Sequence, residues 1–219
     1  MAYGYDISHL LSASVLVFSF LLLFQGRMFG LLNMFVMQAV CLSLTVASQA
    51  HFQNAPHLYV TAAIALFFKA GIIPYSLRRI IIRLGIYRDI ETIFGVGLTL
   101  VVGVALTCLA IMTVMPLAHA QELSAREDLA FALSVILMGM LMMITRKNAI
   151  SQIVGFMSLE NGLVLAATGV RGMPLVVEFS VAFSILIAFF VFGLFVFRIR
   201  ESFDSVEIHV MEQYRGEKQ

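Results

Sequence analysis

Residues 148–170 read NAISQIVGFMSLENGLVLAATGV, an apolar run long enough to cross a bilayer, with Glu160 at its middle. A carboxylate at that depth is costly and is seldom present without a task. Two readings stand. Glu160 is tied to a neighbouring helix for packing or assembly, or it belongs to an ion path.

The rest of the chain fits a membrane setting. Of its 219 residues 61% are hydrophobic and 12% charged, and the mean hydropathy is +0.97. A soluble domain carries about 25% charged residues. There is no Trp, so the interfacial belt rests on Tyr, Arg and Lys. No basic cluster is interleaved with aromatics, which excludes a nucleic-acid role. Cys41 and Cys108 lie inside apolar runs without ligand spacing and read as small core residues. The histidines form no HxxxH pair, so no metal site is expected. The first apolar run is followed by six more and reads as a retained span rather than a removed signal peptide.

The expected fold is all-α, a polytopic membrane protein with seven transmembrane helices, at 7–24, 28–48, 58 onward, 93–115, 129–145, 148–170 and 175–197. Residues 1–128 hold the first four spans, 129–198 a three-helix unit, and 199–219 a polar tail. Asn33 and Gln38 in the second span read as interhelical hydrogen-bond partners. Asn54-Ala55-Pro56 reads as a turn and helix start. Gly95, Gly97 and Gly103 thin one side of the fourth span and favour close contact. Ser124 to Glu127 matches a capping box ahead of the fifth span. Methionines 138, 140, 142 and 143 read as packing residues, not metal ligands. Gly155, Gly162 and Gly169 recur every seven residues and read as a close-packing seam.

The third span carries Lys69 about 16 Å from its start at 1.5 Å per residue, close to mid-membrane. Gly71 and Pro74 follow, and Pro74 cannot donate to the carbonyl of Ala70, so a kink or break is expected there. A lysine beside a helix break resembles the discontinuous helices of transporters. The other reading is that Lys69 snorkels, or pairs with a carboxylate to hold helices together. Arg78, Arg79 and Arg83 then alternate with apolar residues at helical spacing, an interfacial helix that binds lipid headgroups or docks a partner subunit.

Positive charge orients the chain. With the N-terminus outside, the inner segments hold Arg27, Arg78, Arg79, Arg83, Arg88, Arg146, Lys147, Arg198, Arg200, Arg215 and Lys218. The outer segments hold only Arg126 and Arg171. No nucleophile triad, phosphate loop, dinucleotide fingerprint or CxxC appears, so no catalytic centre is expected in this chain. Three titratable groups remain within the apolar spans: Lys69, Glu160 and Glu178. Glu178 is the shallower carboxylate, a turn inside the start of its span, so the alternative of a wet interfacial Glu is stronger for it than for Glu160. Gln152, Ser158, Asn161 and Thr168 can order waters near the sixth span. Asn161 lies about 100 degrees round the helix from Glu160 and need not touch it.

The last three spans resemble the small K-type subunit of respiratory complex I, most clearly in RKNAISQIVGFMSLENGLVLA at 146–166. That family places a basic turn before a helix with a mid-membrane Glu, here Arg146, Lys147 and Glu160, and a second Glu in the next helix, matched by Glu178. The C-type subunits of sodium/proton antiporters share the local pattern. Those subunits are about half this size, and four helices precede the matching unit here. The full architecture looks like hydrogenase-4 component E, a membrane subunit of formate-hydrogenlyase-type and related membrane-bound nickel-iron hydrogenase complexes. FFKAGIIPYSLRR at 67–79 is similar to the Lys-then-Pro pattern of the large antiporter-like subunits, without the His that usually follows the Pro.

The resemblance implies a bacterial or archaeal cytoplasmic-membrane subunit with its C-terminus inside and no redox cofactor of its own. Nickel-iron and iron-sulfur centres belong to its partners: antiporter-like and other membrane subunits, and peripheral hydrogenase subunits. Lys69, Glu160 and Glu178 form its expected proton path, with Gly71 and Pro74 at the helix break. The alternatives are a small subunit of a multisubunit cation/proton antiporter, or a structural adaptor in which the buried charges only neutralise each other. An independent transporter is a weaker fit, because no inverted repeat is visible.

Overall fold

The computed structural model describes residues 2–84, 90, 92–117, 123–169, 186 and 193. These form α1 (Ala2–Phe24), α2 (Met28–Gln53), α3 (Pro56–Ile64), a π-helical segment (Ala65–Ile72), α4 (Ile73–Leu84), α5 (Val96–Leu117), α6 (Leu123–Thr145) and α7 (Ala149–Gly169). Six of the resulting helical runs are long and apolar enough to cross a membrane, with α3, the π segment and α4 making one of them. The expected seventh span at 175–197, with Glu178, lies outside the described residues but for the isolated positions 186 and 193, and so does the tail at 199–219.

Local chemistry sets the boundaries. Asn54 ends α2 in the left-handed conformation (φ 50°), which Asn tolerates, and Pro56 opens α3 where its missing N–H costs nothing. Helix α2 therefore runs five residues past the expected end at Ser48, and its last turn carries Gln49 and Gln53. Asn148 starts α7, its Oδ1 accepting the Ile150 N–H at 2.8 Å. Ser124 lies inside α6 rather than at its N-cap, since that helix begins at Leu123.

Helix α2 sits centrally, packed on α1, α3, the π segment, α4 and α7; α6 packs on α7, α5 and α1. One core gathers Leu22, Leu31, Phe35, Leu77, Met138 and Val154 with their neighbours, and a second gathers Val15, Leu42, Val46, Val135, Val164 and Leu165. Both draw on helices before and after residue 128. The closest approach is between α6 and α7. A Cβ on Gly139 would lie 2.5 Å from the Leu159 backbone nitrogen, and one on Gly162 would lie 2.8 Å from that of Ile136. The sequence seam at Gly155 and Gly162 is thus a real contact. Gly103 likewise meets Met138 and Leu23, whereas Gly95 and Gly97 face open space, so the expected thin side of the fourth span is used only at its middle.

The connections gather at two ends. At one end Ile90 donates its N–H to Gly26 O at 2.7 Å, and Ile93 to Thr145 O at 2.8 Å. The Arg146 guanidinium is buried there, and its Nη2 donates to Leu22 O, Leu23 O and Gln25 O at 3.2, 2.7 and 3.0 Å. It caps the C-terminus of α1, where the helix dipole favours a cation. Burial lowers the Arg146 pKa from its ordinary value, and the carbonyl cluster offsets part of that cost. The other end gathers the second turns of α1 and α6 and the last turns of α2 and α7, through His9, Asp128, Gln53 and the Thr168 carbonyl.

The close α6–α7 contact has a measurable consequence. Gly139→Ala forces the two backbones apart and should cost about 1–3 kcal/mol, as overpacking does. Thermal unfolding of the detergent-solubilised chain should show a lower midpoint than for Gly97→Ala, whose added methyl meets open space.

A candidate ion site at mid-membrane

The site begins with Pro74. Proline has no N–H to donate, and its ring crowds the carbonyl one turn earlier. The preceding backbone widens into a π-helix over Ala65–Ile72, where Ile73 donates to Phe68 O, five residues back. Such segments are rare and concentrate at functional sites. The break expected from the sequence is therefore a change of helical register, with Pro74 buried in the first turn of α4. Gly71 is exposed, and a Cβ there would meet nothing within 4 Å. The register change rests on Pro74, not on glycine making room.

Lys69, inside the π segment, is 1% exposed, and Glu160 on α7 is 3% exposed. Lys69 Nζ lies 3.2 Å from Glu160 Oε1 and donates to Asn161 Oδ1 at 3.0 Å. Asn161 Nδ2 donates to Gln38 Oε1 at 3.2 Å, and Gln38 Nε2 donates to Ser19 Oγ at 2.7 Å and Ser158 Oγ at 2.9 Å. The chain of contacts joins the π segment, α7, α2 and α1. Its logic is that of any buried polar set: each donor needs an acceptor, because an unmet one costs far more than a bond contributes.

The two expected residues that fall among the described ones are thus brought together directly. Gln38 bridges helices, as its sequence context implies. Asn161 lies around the helix from Glu160, yet both reach Lys69, because the long lysine side chain ends between them. Ser19 carried no sequence signal. Gln152 and Thr168 bond elsewhere, to Arg146 O at 2.9 Å and Leu165 O at 3.0 Å.

Chemically, the pair holds one proton that can reside on the amine or on the carboxylate without changing the net charge. The hydroxyls of Ser19 and Ser158 give the network groups that accept and donate alike. Among the described residues no cluster of three or more His, Cys, Asp or Glu side chains could hold a metal ion.

A protein of Mycobacterium tuberculosis described as uncharacterized is 23% identical to this chain over 201 residues, covering 90% of each. The similarity is therefore to a protein of nearly the same extent. No family model matches the chain. No solved structure matches it either.

Removing one partner of a buried ion pair leaves an uncompensated charge and costs about 3–5 kcal/mol. Lys69→Met alone should therefore lower the yield of folded chain sharply. Lys69→Met combined with Glu160→Gln should recover most of that loss, and the double-mutant cycle in thermal unfolding should show strong coupling. Additive losses would mean that the two groups do not act as a pair.

Proposed function

We propose that this chain is a membrane-arm subunit of a complex-I-like hydrogenase complex, in which Lys69 and Glu160 form part of a proton path that couples redox chemistry in partner subunits to ion movement. The observation that carries the reading is the Lys69–Glu160 pair, buried beside a π-helical break at mid-span. Ionisable groups at such depth mark ion paths. The sequence resemblance to hydrogenase-4 component E supplies the setting. In that setting the partners are antiporter-like membrane subunits and peripheral hydrogenase subunits carrying nickel-iron and iron-sulfur centres, and Glu178 extends the path. A small subunit of a multisubunit antiporter uses the same pair without redox partners.

The adaptor reading has its own observation. At 3.2 Å the two charges already neutralise each other, and a pair that only joins helices needs nothing more. Glu160→Gln separates the readings, because it keeps size and hydrogen bonding but removes the titrating group. In the complex recovered through the tagged full chain, artificial-acceptor electron transfer should persist while proton translocation falls about tenfold or more. Normal translocation in an assembled Glu160→Gln complex leaves the adaptor reading in possession.

The same proposal places the chain in the bacterial or archaeal cytoplasmic membrane, with the Arg146 end inside. Arg27, Arg78, Arg79, Arg83 and Lys147 accompany that end, as positive residues do on the cytoplasmic side. Cysteine at Lys147 should label from the cytoplasm and cysteine at the exposed Glu127 from the opposite face. Labelling of both from one side would overturn this orientation.

A further inference from the structure

The end opposite Arg146 carries a second polar cluster that the proposed path does not use. Asp128, 4% exposed in α6, accepts from the Gln49 Nε2 at 3.3 Å and lies 3.2 Å from His9 Nδ1. Gln49 Nε2 also donates to Ser8 Oγ at 3.0 Å, and Ser12 lies alongside Asp128. The His9 side chain is 21% exposed, and that of Glu127, 3.9 Å away, 62% exposed, so the cluster runs from solvent into the bundle.

This cluster stands in register with the central network on the same helices. On α1, Ser12 precedes Ser19 by seven residues; on α7, Thr168 follows Asn161 by seven. Seven residues of helix rise about 10 Å. Between them one apolar layer of Val15, Leu42, Val135 and Leu165 packs as a single core. Polar groups thus face each other across a thin dry plug. On α2 the two flanks are alike in length, eleven residues from Gln38 to Gln49 and ten back to Met28, but unlike in lining: Leu42 and Val46 with the hydroxyls of Ser43 and Thr45 toward Gln49, bulky Phe35, Leu32 and Leu31 toward Met28.

We propose that Ser8, His9, Ser12, Gln49 and Asp128 form a proton-exchange port, through which the Lys69–Glu160 network communicates with the solvent at the His9 end. His9 takes a proton from solvent at its ring and gives one from Nδ1 to the Asp128 carboxylate. The imidazole returns to neutral as the carboxylate becomes a carboxylic acid. Water wetting the apolar layer carries the proton onward to the central pair, and the reverse sequence releases it. Among the described residues the titratable groups at the port are His9 on α1 and Glu127 and Asp128 on α6. Helices α2 and α7 bring only amides, hydroxyls and the Thr168 carbonyl. The port rests on the proton-path reading above, so its test is built to fail separately.

In vesicles of the complex recovered through the full chain, Asp128→Asn should lower protons moved per turnover about tenfold or more, as loss of a proton-transfer group does. Asp128→Glu should restore them, and His9→Gln should remove the dependence on pH at the His9 side. If Asp128→Asn pumps normally while Glu160→Gln does not, the port is wrong and the central path stands. If both pump normally, the central path fails and the port with it. If Asp128→Asn does not assemble, His9→Gln decides: an unchanged pH dependence at the His9 side overturns the port.

Discussion

An ammonium and a carboxylate held 3.2 Å apart at mid-span dictate much of the architecture around them. In hydrocarbon neither charge is tolerable alone, so the positions of the π segment and α7 are fixed relative to each other. The remaining donors of the lysine must also be met, which draws in Asn161. The amide of Asn161 must be met in turn, which draws in Gln38 and, through it, Ser19 and Ser158. A single buried charge pair thus recruits four structural elements. The backbone contact at Gly139, Gly155 and Gly162 keeps α7 seated against α6 and so holds Glu160 in place.

Glu160, Lys69 and the Pro74 break were legible in the sequence, because each violates the apolar rule of a span or the hydrogen-bonding rule of a helix, and a violation is visible without a neighbour. The pairing of Lys69 with Glu160 was not legible, since it depends on which helices adjoin. The π register was not either: proline announces a disturbance but not whether the chain kinks or widens. The burial of Asp128 and Arg146 was not legible either, for the same reason. At a chain turn a charged residue normally faces water, and only the tertiary fold turns Asp128 toward Gln49 and Arg146 toward the carbonyls of α1. Gly95 and Gly97 show the converse. Small residues permit close contact but do not create it, and among the described residues no helix comes to meet them.

The two apolar seals give the network a direction. Toward the Arg146 end lie Phe35, Met28, Leu31 and Leu32, large side chains that interdigitate with Met138, Met157 and Val154. Toward the His9 end lie valines, alanines and leucines. Water crosses a layer of small side chains at lower cost than a layer of large ones, because fewer dispersion contacts must be broken. On the proton-path reading, the charge pair then exchanges with the His9 face more readily than with the Arg146 face.

Charge balance carries the argument one step further. The Lys69–Glu160 pair is neutral as a unit, so an arriving proton leaves a net positive charge in a low-dielectric interior. Such a charge persists only while a negative group lies near. Within the described spans the other carboxylates are Glu127 and Asp128, both at the His9 end. An extra proton at the centre is thus drawn back toward that end unless a carboxylate from outside these helices approaches, or a cation withdraws. If the pair carries protons as proposed, occupancy of the central site is governed by charge movement in whatever packs against the bundle.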